Sequence, residues 1–284
     1  MSRTVLTAPA VAALKGQRRQ VWVTAYDVSQ ARLAEGAGVD VILVGDSLGM
    51  TTLGFASTLP VTLDMMVHHA RAVRRGAPAT FLAVDLPFLT YPDPAAALAA
   101  AGRLLQEAGA DAVKLEGGRR VAPVVERLVA EGIPVVGHIG LTPQQVQVMG
   151  GYKVQGRAAE AALGLVEDAR ALEAAGIFAL VLEGIPDRVA GFITRQVGIP
   201  TIGIGAGAAV DGQVLVWHDL LGLSERQPKF VRAYARLAPL ITDALTRYRE
   251  DVLAGSFPAD AESYHLPDAE WDRFLALWQA AAHE

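Results

Sequence analysis

Cysteine is absent from this chain, which excludes disulfides, thiolate zinc sites and cysteine nucleophiles and leaves the redox compartment unread. Long apolar runs are absent too: no stretch approaches the roughly eighteen residues of a membrane-spanning helix. Basic runs are missing, and with a formal net charge of −5 the chain carries no nucleic-acid footprint. The first residues, MSRTVLTAPAVAALKG, hold one early arginine and a short apolar patch but no segment of signal-peptide type, so the expected location is cytoplasmic. What remains is plentiful apolar material, 52% of 284 residues against 19% charged, enough for a large core in one large domain or two small ones. A small molecule is the expected partner.

The chain repeats one pattern: a helix-like stretch, a glycine break, then an apolar run ending in polar residues or glycine. AEGAGVDVILVGD, QEAGADAVKLEGG, VAEGIPVVGHIG, LEAAGIFALVLEGIP and QVGIPTIGIGAG are versions of it, and RQVWVTAYD, GAPATFLAVDLPF and GQVLVWHD bring the strands to about eight. Strands alternating with helices imply right-handed βαβ units and a parallel sheet, and a chain of this size fits a (β/α)8 TIM barrel. Helices are expected over 63–75, 94–109, 158–175 and 230–253. Between the seventh and eighth strands AAVDG leaves no room for a full helix, which keeps a doubly wound open sheet as the alternative. No linker divides the chain, so residues 1–284 read as one domain with a short N-terminal helical segment and a C-terminal extension from about Gly255. That tail carries Trp271, Phe274, Leu275, Leu277 and Trp278, an amphipathic set suited to covering a partner surface.

In a parallel barrel the loops after the strands open onto one face, and the active site lies there. Asp46, Asp85, Lys114 with Glu116, His138 and Glu183 each close a different apolar run. Singly, each has a plain structural reading: Asp46 or Asp85 as a helix cap, Lys114 and Glu116 as a mutual pair, His138 as a packing residue. Jointly, at the ends of strands of one sheet, they read as a site. Converging carboxylates without cysteine or a histidine cluster are hard oxygen donors, suited to Mg²⁺ and to a chelating 2-oxo acid, whose enolate the cation would stabilise. Glu183, in LVLEGIP, is then the candidate base. GGYKVQGR, residues 150–157, reads as a lid; GIGAG, 203–207, as crowded backbone rather than a phosphate loop; and the adjacent His68 and His69 as structural rather than a metal pair.

TAYD, VGDSLGM, STLPVTLD, VRRGAP, DLPF, KLEGG, GHIGLTPQ, GGYKVQGR, LEGIP, IGIGAG, DGQVLVWHDLLG and PKF, in this order over roughly residues 15–266, closely resemble the ketopantoate hydroxymethyltransferase family. The resemblance implies a barrel of the phosphoenolpyruvate/pyruvate superfamily. It also implies transfer of a hydroxymethyl group from 5,10-methylenetetrahydrofolate to 3-methyl-2-oxobutanoate, the first committed step of pantothenate biosynthesis. Carried over by position, Asp46, Asp85 and Glu116 match the magnesium-site acids, held partly through water. Ser47 and Lys114 match substrate contacts, Glu183 the proton acceptor, and His138 a pocket residue. The family implies a homo-oligomer, commonly a decamer of paired barrels.

Two departures stand out: Gly184 replaces a cysteine common in the family, and residues 267–284 extend past its usual close. Two rivals remain. In one, Lys114 is the nucleophile of a Schiff-base aldolase; in the other, the barrel only binds pantoate precursors. The superfamily's lyases and mutases commonly use a cysteine-bearing motif that is missing here.

Overall fold

A computed structural model describes residues 5–282, which divide into two compact units, one running to Ala235 and one from Arg236. The first begins with α1 (Ala8–Ala12), then alternates: β1 (Gln20–Thr24), α2 (Val28–Gly36), β2 (Val41–Val44), α3 (Leu48–Thr51), α4 (Leu63–Gly76), β3 (Phe81–Asp85), α5 (Pro94–Ala108), β4 (Ala112–Glu116) and α6 (Ala122–Ala130). It continues through β5 (Val135–Gly140), α7 (Val146–Met149), α8 (Ala159–Ala174), β6 (Ala179–Glu183), α9 (Asp187–Gln196), β7 (Thr201–Ile204), β8 (Gly212–Leu215) and α10 (Trp217–Leu220). All eight strands are parallel to their neighbours and close in sequence order into a barrel, β8 pairing with β1, which eliminates the open sheet.

The strands are apolar on both faces because both are covered. Trp22, Val41, Leu43, Phe81, Ala83, Ala112, Val136, Val181, Ile202 and Val214 fill the barrel, joined at its lower end by Ala8 and Val11 of α1. Their neighbours Val23, Ile42, Val44, Leu82, Val84, Val113 and Leu115 point outward into the layer packed by the helices. This period of two carries upward. Asp85, Lys114, Glu116, His138 and Glu183 share the inward parity of Phe81, Ala112, Val136 and Ala179 on their own strands, so they form the layer above the apolar filling.

Helix starts follow local chemistry. Asp27, Thr62 and Asp93 cap α2, α4 and α5 by accepting from the backbone N–H groups of Gln30, Met65 and Ala95 respectively, and Gly109 ends α5 in the left-handed region. The helix-free link between β7 and β8 is held from outside: Lys15 Nζ lies 2.7 Å from Asp211 Oδ2, which also accepts from Thr201 N at 2.9 Å, and Arg19 donates to the Ala208 carbonyl at 2.6 Å. The glycines of 203–207 are crowded, as expected. A Cβ on Gly205, at φ +65°, would stand 2.7 Å from the Phe230 ring, and one on Gly207 2.5 Å from Asp187 Cβ.

The second unit holds α11 (Leu237–Ala254), a single 3-10 turn at Asp260–Glu262 and α12 (Asp268–Ala281), which carries the tail aromatics and stacks Trp271 on Phe274. The helix expected from residue 230 starts at Leu237 instead. The reason is Pro239, which is tolerated in a first turn where its missing N–H is not needed, but not in the interior of a helix begun at 230. Among the described residues no helix is long and apolar enough to cross a membrane.

Candidate active site

The loop face of the barrel gathers Asp46, Asp85, Glu116, Lys114 and His138, all nearly or fully buried. β2, β3 and β4 are neighbours, so their carboxylates meet. Gly45 makes room for this: a Cβ there would lie 2.9 Å from Ser47 Oγ and 3.5 Å from Asp85 Oδ2, inside the site. Asp46 N donates to Asp85 Oδ2 at 3.1 Å, and Lys114 Nζ lies 3.1 Å from Asp85 Oδ1, an ion-pair approach whose angles leave that oxygen without a proper donor. The suggested pairing of Lys114 with Glu116 is not what forms. On strand β4 both side chains point inward, but Lys114 turns to Asp85, while Glu116 Oε1 takes His138 Nδ1 at 3.4 Å and Glu116 Oε2 accepts from Gln144 N at 3.0 Å.

His138 on β5 is the bridge. Its Nε2 lies 3.3 Å from Glu183 Oε2 on β6, so imidazole separates the crowded acids from a fourth carboxylate that is partly open to solvent. Burial and the Lys114 ammonium oppose its protonation, but Glu116 and Glu183 outweigh them and raise it to about 9. Burial also opposes charge on Lys114; Asp85, Glu116 and Asp46 overcome it and keep the amine protonated well above its ordinary value. A protonated amine is no nucleophile, which counts against the Schiff-base rival. Burial, then repulsion from Asp85 and Glu116, holds the Asp46 carboxyl well above the usual range. Burial likewise raises Asp85, against the pull of Lys114. Glu116 goes the other way, its burial outweighed by His138, Lys114 and the Gln144 N–H.

This donor set suits a hard dication. Three oxygen-donor carboxylates crowd one pocket, two of them raised chiefly by burial despite the nearby Lys114 ammonium, and Asp85 Oδ1, 3.1 Å from Lys114 Nζ, has no well-angled hydrogen-bond donor. Among the described residues no three His, Asp or Glu side chains close into a complete ligand set, so a cation here would need water or substrate oxygens.

Tyr26, Tyr91 and Gln144 are the working parts that sequence reasoning missed. Ser47 Oγ is 2.8 Å from the buried Tyr26 hydroxyl, whose backbone carbonyl lies 2.7 Å from His69 Nδ1. Gln144 Nε2 donates to Asp46 Oδ2 at 2.8 Å and to the Leu86 carbonyl at 3.0 Å, while its Oε1 accepts from Tyr91. A 3-10 turn over Pro143–Gln145 drops that side chain into the cup. Its only sequence signal was its position shortly after a strand, in GHIGLTPQ. Gly184, at φ +55°, would aim a Cβ at Leu141, 3.2 Å from its Cβ.

The closed (β/α)8 barrel is a fold that this chain shares with solved members of the PEP mutase/isocitrate lyase superfamily. The fold is similar to 2,3-dimethylmalate lyase of that superfamily (TM-score 0.59, 17% identity, 98% of both chains). It is likewise similar to phosphonopyruvate hydrolase (TM-score 0.58, 14% identity, 98% of this chain and 100% of that one). The ketopantoate hydroxymethyltransferase family model matches residues 6–260. The 3-methyl-2-oxobutanoate hydroxymethyltransferase of Oleidesulfovibrio alaskensis is 56% identical over 95% of this chain and 94% of its own length. That of Thermus thermophilus is 55% identical over 88% and 96%. The chain belongs to the ketopantoate hydroxymethyltransferase family and is a transferase.

Proposed function

We propose that the protein transfers a hydroxymethyl group from 5,10-methylenetetrahydrofolate to 3-methyl-2-oxobutanoate, by way of an enolate, as a cytoplasmic step of pantothenate biosynthesis. The observation that carries the reading is the split of the carboxylates: three buried, just past β2 and on β3 and β4, and Glu183 beyond His138 on β6. Asp46, Asp85 and Glu116 would hold magnesium, partly through water, and the bound metal would supply Lewis-acid stabilisation of charge on the 2-oxo acid oxygens.

The chain's own residues do the rest. Lys114, kept charged, and Ser47, oriented by Tyr26, hold substrate oxygens. Glu183 takes the C3 proton, and the C–H electron pair becomes the enolate double bond. His138 Nε2, 3.3 Å from Glu183 Oε2, draws the base toward the cup by charge. Water first adds to the methylene carbon of the ring-opened donor and breaks its bond to nitrogen, releasing tetrahydrofolate and formaldehyde; the enolate carbon then bonds to the formaldehyde carbon, whose oxygen takes up a proton to give 2-dehydropantoate. Residues 150–157 shield the site: Gln155 N donates to the Gly184 carbonyl at 2.8 Å, beside Glu183.

The test is exchange of the C3 proton of 3-methyl-2-oxobutanoate in D2O, followed by NMR without folate. Wild type with Mg²⁺ should exchange it, and metal-free enzyme and Glu183→Gln should not. Equal exchange by Glu183→Gln would remove Glu183 as the base. The assembly implied by the family, a decamer of paired barrels, is part of the same reading.

A further inference from the structure

The donor of the one-carbon unit has to reach the cup from one side. α1 closes the lower end: Ala8 and Val11 pack with the barrel filling, and Gln20 Nε2 donates to the Val11 carbonyl at 3.0 Å from inside the barrel. Entry is therefore through the loop face, and a planar heteroaromatic ring arriving there needs an apolar surface of matching shape.

The buried aromatics of the cup cannot supply it. Tyr26 and Tyr91 are 1% and 8% exposed, and their hydroxyls are committed to Ser47 and Gln144. Tyr152 differs. It sits in the connection between β5 and α8, its ring is 50% exposed, and its hydroxyl donates across the mouth to Met50 Sδ of α3 at 3.4 Å. Gly150, left-handed at φ +66°, turns the chain into this segment, and Gln155 pins its far side to Gly184. Partial burial, then the charges of Asp46, Glu183 and Glu116, raises its hydroxyl. The Met50 contact on one side and the Gln155–Gly184 bond beside Glu183 on the other hold the ring at the mouth of the cup. Met50, 38% exposed, adds a polarizable thioether beside it.

We propose that Tyr152, flanked by Met50, is the face on which the pterin ring of the one-carbon donor stacks, which sets the donor's methylene carbon above the enolate. The inference rests on the folate-donor reading above. It assigns the 150–157 segment a second task besides shielding: the ring contributes affinity, and the hydroxyl only latches it.

Calorimetric titration of the full-length protein with tetrahydrofolate under argon, with Mg²⁺ and 3-methyl-2-oxobutanoate present, tests this in wild type, Tyr152→Phe, Tyr152→Trp and Tyr152→Ala. Loss of a stacked ring predicts about ten- to a hundredfold weaker binding for Tyr152→Ala, with Phe and Trp within a fewfold of wild type. The hypochromic change in pterin absorbance on binding should persist in Phe and Trp and vanish in Ala. A purely structural latch through Met50 would instead make Phe as weak as Ala, and that result overturns the assignment. So does wild-type affinity in Ala. Wild type that binds no tetrahydrofolate overturns the folate reading itself, together with this inference.

Discussion

Gln144→Leu is the substitution whose consequence the structure specifies most fully. The amide donates to Asp46 Oδ2 at 2.8 Å and to the Leu86 carbonyl at 3.0 Å, and accepts from Tyr91, all at a residue 4% exposed. Leucine keeps most of the volume and the backbone N–H to Glu116, but takes the donor from two buried acceptors, Asp46 Oδ2 and the Leu86 carbonyl, while the Tyr91 hydroxyl keeps Glu116 N at 3.3 Å and the Glu116 carbonyl at 3.5 Å. Each of the two acceptors costs about 1–3 kcal/mol, and one of them belongs to a carboxylate. Water entry and relaxation return part of this, so the expected loss is about 2–4 kcal/mol, or roughly 4–16 °C in melting temperature for a chain of this size. Calorimetry or circular dichroism reads it. Tyr91→Phe completes a cycle: alone it takes a partner from both Gln144 Oε1 and Glu116 N, but in the Gln144→Leu background only from Glu116 N, so the two costs should fall short of additivity by about 1 kcal/mol. Melting within about 2 °C of wild type, or strict additivity, would refute the reasoning.

Gly140 stands at φ +98° with its Cβ position 2.2 Å from the Glu183 carbonyl oxygen, so Gly140→Ala should cost more than about 2 kcal/mol and slow C3 exchange. Gly102→Ala, inside α5 with nothing within 4 Å, should instead gain about 0.5–1 kcal/mol in urea unfolding. His218 stacks on Tyr26, and burial lowers its pKa from 6.5, against the pull of Asp219 and Asp27. Below 6.5 the unfolded chain therefore binds the proton first, and stability falls with pH down to the folded value; His218→Phe should flatten that part of the pH profile, and an unchanged slope would contradict it. EDTA should abolish turnover, and borohydride with 3-methyl-2-oxobutanoate should leave no adduct on Lys114 by mass spectrometry, because the amine is held protonated.

Much of the fold was legible because a barrel repeats one unit: each apolar run, glycine break and helix announces the next, and strand parity alone puts Asp85, Lys114, Glu116, His138 and Glu183 on the inner face. Residues placed by that parity were visible as candidates before any coordinates. Asp46 and Ser47 were visible for a second reason, their position just past a four-residue apolar strand. Partnership was not legible. Lys114 and Glu116 alternate on one strand and invite pairing, yet Lys114 takes Asp85 on the strand to one side, and both it and Glu116 meet His138 on the strand to the other. Choices of that kind are made by the closed sheet, since they depend on which neighbour offers the opposite charge at the same height. Gln144 is the extreme case. It lies 98 residues from the aspartate it supports and follows no strand-end rule, because its side chain enters the cup from a turn rather than from a strand. The acids that a sequence advertises at its strand ends are therefore held in place by neutral groups that it does not advertise, and a substitution scan confined to charged positions would pass over the residue that ties Asp46 to Tyr91.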